Sequence, residues 1–169
     1  MTTAELIGGV LVRDLRAVER ELDAYEHEAD LWKISDAIPN SAGTLAVHLA
    51  GNLRHYVGAV LGGTGYVRDR DAEFSRRDVP RAELRRELDA AIDDVGAVMS
   101  RLTDEQMSAT FPQAVAGKHC ATQDMLIHLA THLAYHLGQI DYHRRLVAGN
   151  AASIGAVSPA ELRSATSAS

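Results

Sequence analysis

"HLATHLAYHLGQIDYHRR", residues 128–145, places His128, His132 and His136 at a strict spacing of four. Residues four apart are neighbours on one face of an α-helix. The pitch therefore predicts a helix, starting near Thr122 and running to about Val147, where Gly149-Asn150 stops it. Three histidines on one helix face also raise the question of what they hold.

The rest of the chain carries three further long helical patterns. Ile7, Leu11, Leu15, Val18, Leu22 and Tyr25 form one stripe. "NSAGTLAVHLAGNLRHYVGAVLGG", from Asn40, predicts a second helix, capped by Asn40 or Ser41 and ended by Gly62-Gly63. Its inner stripe reads Leu45, His48 or Leu49, Asn52, Tyr56 and Val60. The third opens at Asp78-Val79-Pro80, with Leu84, Leu88, Ile92, Val95, Met99 and Leu102 on one face. "TDEQ" at Thr103 fits a capping box and predicts a short helical turn. No segment alternates like a strand. The expected fold is all-α, a four-helix bundle with a long charged loop, residues 62–79, between helices two and three. The bundle domain is expected over 1–150, with a flexible tail over 151–169.

The 169 residues suit one domain with a substantial core. A net charge of −6, with no basic run beyond two residues, argues against a nucleic-acid partner. No apolar run approaches the roughly 20 residues of a membrane span, and the start does not resemble a signal peptide. The one cysteine, Cys120, fits a reducing cytoplasm, the expected location. It precedes the last helix, but a lone cysteine is ordinarily a small apolar residue, not a nucleophile.

His128 and His136 lie eight residues apart, about 12 Å along a helix axis. One adjacent pair at most chelates a given ion, 128/132 or 132/136, and it needs ligands from another helix. His48 is the best placed, on the inner stripe of helix two. His27, His119 and His143 are expected at the surface. Neither "HLATH" nor "HLAYH" carries the glutamate of a metalloprotease motif. The Glu-x-x-His of di-iron bundles is missing, as are a c-type haem motif and a phosphate-binding loop.

Three stretches, "NSAGTLAVHLAGNLRHYVGAVLGG", "TGYVRDRDAEF" and "HLATHLAYHLGQIDYHRR", resemble in order the DinB-like (DinB/YfiT-like) superfamily of bacterial metal-binding four-helix bundles. The last looks like its His-x3-His-x-Gly-Gln signature, and the likeness spans roughly residues 4–148. The resemblance implies one divalent ion, zinc or nickel, on His48, His132 and His136. It selects the 132/136 pair, which spacing leaves open. It also implies a homodimer and a reaction with a small-molecule substrate, with a low-molecular-weight thiol as cosubstrate.

Three imidazoles leave a position open on the ion, whereas a closed structural site has four protein ligands. Such a site suits a metal-dependent enzyme of thiol-transferase type. The alternatives are a metal-dependent hydrolase, or a non-catalytic metal-binding sensor or interaction module. Asn52, one turn past His48, is a candidate to bond a ligand of the ion; His128 and Gln139 are candidates for a supporting role. Arg68 and Arg70, offset by Asp69, Asp71 and Glu73, are expected to form a solvated loop. No carboxylate is fixed near the three histidines by spacing.

Overall fold

The computed structural model describes residues 1–34 and 37–167. Among these the regular structure is helical, with isolated bridges at Thr110–Ala121 and Val115–Lys118. The helices are α1 (Thr3–Asp23), α2 (Ala42–Leu53), α3 (Arg70–Ser75), α4 (Arg81–Met99), α5 (Asp104–Ser108) and α6 (Thr122–Ala148).

Their ends follow local chemistry. Thr2 and Glu5 form a reciprocal capping box on α1, and Thr103 and Gln106 form another on α5. Ser41 caps α2, accepting from the Thr44 N–H. Gly149 ends α6 in the left-handed conformation, φ 64°.

The long helices pack as two pairs of neighbours: α1 lies on α4 and α6, and α2 also lies on α4 and α6. All twelve residues of α2 are buried, as expected of a helix that is apolar on every side. A polar side chain on α2, such as His48 or Asn52, is therefore drawn into the interior with it. The core joins Leu11, Leu15 and Leu22 of α1 to Leu88 and Val95 of α4 and Leu129, Leu133 and Ile140 of α6.

Past Leu53 the second helix widens. Residues Arg54–Leu61 form a π-helix, and that form recurs where a helix borders a functional site.

The 62–79 connection contains α3, capped by the Asp69 carboxylate on the Ala72 N–H. It packs on α2 and buries Glu73. The expectation of a solvated loop is corrected at Arg68. Its guanidinium is largely buried and grips the Glu73 carboxylate through two bonds of 2.6 and 2.8 Å. Arg70 is exposed, with its guanidinium 5.5 Å from the Phe74 ring centre.

Beyond α6, residues 151–167 are mostly exposed. Arg144, fully buried, bonds the carbonyls of Asn150 and Ala152, and Arg20 pairs with Glu161. No described helix is long and apolar enough to cross a membrane.

Candidate metal centre

His48 comes from the buried helix α2, His132 and His136 from consecutive turns of α6. Their side-chain nitrogens converge, one ligand atom from each lying within 4.8 Å of the others. His132 Nε2 is 3.4 Å from His48 Nε2 and 3.1 Å from His136 Nε2. A tetrahedral ion with bonds of about 2.0–2.1 Å separates its ligands by about 3.3 Å. The spacing therefore fits a small divalent ion.

The protonation pattern fits as well. His48 Nδ1 donates to Glu73 Oε2 at 2.9 Å, and His136 Nδ1 donates to Gln139 Oε1 at 2.6 Å. Each of these rings then presents a bare Nε2 lone pair to His132 Nε2. One proton on His132 satisfies only one of the two, leaving lone pair against lone pair. A cation at the centre satisfies all three, and carboxylate and amide partners behind the rings are the usual support of histidine ligands.

Electrostatics favour the neutral forms of His132 and His136. Burial, with His136, His48, His128 and Arg68 nearby, pushes the His132 pKa down to about 4. Burial also lowers His136, against the opposing bond from Gln139. Burial pushes Glu73 up, but its bonds to Arg68 and His48 outweigh this and hold it ionised, below the usual range.

Glu73 is the residue that spacing missed. It lies 25 positions from His48 and reaches it only because α3 folds onto α2. That approach requires Gly51, since a Cβ there would overlap Glu73 Oε1. The Phe74 ring, 4.8 Å from the His48 ring, covers the same side.

The other candidates are placed as follows. His128 is exposed, its ring 6.0 Å from His132, and it is not part of the convergent trio. Asn52 is buried, and its Oδ1 has no hydrogen-bond partner among the described residues. Tyr135 is exposed beside His136, with ring centres 5.3 Å apart. His55 bonds Gln113 across the surface, and Cys120 is half-buried.

His27 and His119 are exposed, as expected. His143 is not: it is only 2% exposed. Its Nε2 donates to the Lys33 carbonyl at 2.9 Å, and its Nδ1 accepts from the Tyr25 hydroxyl at 2.6 Å. The turn following α1 supplies both partners, which the helical pattern of α6 alone does not reveal.

No curated protein and no solved structure matches the chain. A family model described as the DinB superfamily matches residues 11–140, well over half the length and all three convergent histidines. The chain belongs to the DinB superfamily.

Proposed function

We propose that the protein is a metal-dependent enzyme of thiol-transferase type, built as a four-helix bundle of α1, α2, α4 and α6 and working in the cytoplasm. One observation carries the reading: three Nε2 atoms converge while the far nitrogens of His48 and His136 are held by Glu73 and Gln139. The donor set is all nitrogen and suits zinc or nickel.

A divalent ion bound there supplies Lewis acidity, which lowers the pKa of a small thiol near it. The chain's own groups do the rest. Arg68 fixes the Glu73 carboxylate, and Glu73 keeps the His48 proton on Nδ1. Gln139 does the same for His136. Phe74 shields the His48 ring from water. The unpartnered amide oxygen of Asn52, one turn beyond His48, is ready to accept a bond from an incoming molecule.

The test loads the protein with cobalt and titrates small thiols, watching for sulfur-to-metal charge-transfer absorption. Turnover of an epoxide or haloaromatic is then compared between wild type and His136→Ala. Thiol entry with histidine-dependent turnover supports the transferase. Hydrolysis of an ester without thiol entry replaces it with a hydrolase.

A second reading has its own observation. Glu73, the carboxylate bonded to a site histidine, is already engaged by Arg68 as well as His48 and is not free to act as a base. This favours a non-catalytic metal-binding module, the account that remains if neither thiol entry nor hydrolysis occurs.

A further inference from the structure

A cleft of about 260 Å³ lies between α6 and the chain that leads into α2. Ile38, Pro39 and Leu45 line it from the α2 side, and Gln139, Tyr142 and His143 from α6. Among the described residues the lining carries no Asp, Glu, Lys or Arg. His143 has both nitrogens engaged, by Tyr25 and by the Lys33 carbonyl, so it offers the cleft its ring and no hydrogen bond. The cleft adjoins the metal centre. Leu45 stands three positions before His48, and Gln139 three after His136. His48 meets His132 and His136, while Leu45 shares the cleft with Gln139 and Tyr142, so α2 and α6 run antiparallel. The cleft is therefore the layer next to the histidines, about 4.5 Å further along each helix.

Gln139 belongs to both layers. Its Oε1 accepts from His136 Nδ1 at 2.6 Å, and its Nε2 amino group has no bond among the described residues. A histidine that offers Nε2 to an ion keeps its proton on Nδ1. The Gln139 amide must then turn its oxygen to His136 and its amino group the other way. The metal centre itself thus orients a hydrogen-bond donor in the lining of the cleft.

We propose that the cleft binds an uncharged, single-ring molecule through a carbonyl-type oxygen, which accepts from Gln139 Nε2 while the ring lies against Tyr142 and the apolar wall. Apolar walls with a few placed polar groups are the usual make-up of a small-molecule site. The volume falls just below the roughly 300–1,000 Å³ of drug-sized sites and suits one ring. A charged group would shed its water there without gaining a counter-charge. Seated one layer from the histidines, the ring is the non-reacting body of a substrate whose reacting atom reaches the ion. That this molecule is the substrate rests on the proposed transferase; its place in the cleft does not.

The test uses the full, zinc-loaded chain and two single-ring probes: benzamide, with a neutral carbonyl, and benzylamine, a cation. In a proton–nitrogen NMR titration, benzamide should give saturable shifts of the Gln139 side-chain amide and of the backbone amides of residues 139 and 142. Benzylamine should leave all three in place. Tyr142→Ala, at an exposed position, should weaken benzamide binding with zinc content unchanged. Gln139→Glu separates binding from support of the metal. Its carboxylate still accepts from His136, so zinc should stay, but an anionic oxygen replaces the donor in the cleft. Benzamide binding should be lost and benzylamine binding gained. Three results would each overturn the proposal: no benzamide shifts in the wild type, unchanged benzamide binding in Gln139→Glu or in Tyr142→Ala, or benzylamine binding to the wild type as tightly as benzamide. None of these readings needs turnover, so a saturable cleft in a protein that never admits a thiol would sink the transferase and keep the site.

Discussion

Gly51 leaves the space that the Glu73 carboxylate fills: a Cβ at position 51 would overlap Glu73 Oε1, and its three nearest neighbours would all be atoms of the Glu73 side chain. Gly51→Ala should therefore push Glu73 away from His48 without altering any ligand. Loss of such a supporting bond typically weakens metal affinity about 10–100-fold. Competition titration with a chelating dye should show a loss of that size in Gly51→Ala and in Glu73→Ala alike. Unchanged affinity in Glu73→Ala would remove the carboxylate from the site.

The three converging histidines should behave as a set. His48→Ala, His132→Ala and His136→Ala should each lose stoichiometric metal, read by elemental analysis of protein purified without chelators. His128→Gln should retain it, since His128 stands outside the trio. Loss in His128→Gln as complete as in His136→Ala would reassign the pair.

Removing the metal should leave the fold in place. The core that joins α1, α4 and α6 is made of apolar side chains and does not pass through the histidines. Far-UV circular dichroism after chelation should stay helical. A coil spectrum would mean that the ion is structural, as in a zinc finger.

His143 should make stability depend on pH. Burial lowers its pKa below 6.5, with the bond to the Lys33 carbonyl opposing. The unfolded chain then binds a proton that the folded one resists. This contribution is fully present above the unfolded value, 6.5, and is lost as pH falls below it. Urea midpoints at about pH 7.5 and about pH 5 should differ more in wild type than in His143→Gln. Tyr25→Phe should cost about 1–3 kcal/mol at neutral pH by leaving Nδ1 without its donor.

Arg144 and Glu21 are both fully buried and bonded at 2.5 Å. Arg144→Ala strands the acid, and such a break costs about 3–5 kcal/mol. Adding Glu21→Met to Arg144→Met should restore much of the stability, because an apolar pair needs no counter-charge. Chemical denaturation of the single and double variants reads both effects. Equal losses in Arg144→Met and in the pair would contradict the account.

The helices were legible because their signals are local. The capping boxes at Thr2 and Thr103 involve residues three apart, and the α6 stop at Gly149 is a single residue. His132 and His136 share a helix face, so their pairing was visible in spacing. His48 stood out by its place on the inner stripe of helix two, the choice of the 132/136 pair came from resemblance to a family, and the side chains of these three histidines converge. What escaped were partners joined by tertiary packing. Glu73 looked like one of several loop acids balancing loop arginines, and only the docking of α3 on α2 separates it from Asp69 and Asp71. His143 lies near a helix end, where a surface position is the ordinary outcome, and its burial depends on Tyr25 and Lys33 more than a hundred residues away. The π-helical widening at Arg54 has no composition signal that periodicity detects.

The grip of Arg68 on Glu73, and of Glu73 on His48, also makes the α3 segment a reporter. Coupling between two events is reciprocal: if an ordered segment 62–79 strengthens ion binding, the ion must stabilise that segment by the same free energy. The segment carries Arg68, Arg70, Arg76 and Arg77, each a point of attack for trypsin. Cleavage there proceeds through local opening, so its rate follows the free energy of that opening. Filling the metal centre should therefore slow tryptic nicking of 68–77 while leaving cleavage at Arg163, across the molecule, at its former rate. A protease would then read occupancy of a buried site from the lifetime of a peptide bond on the surface.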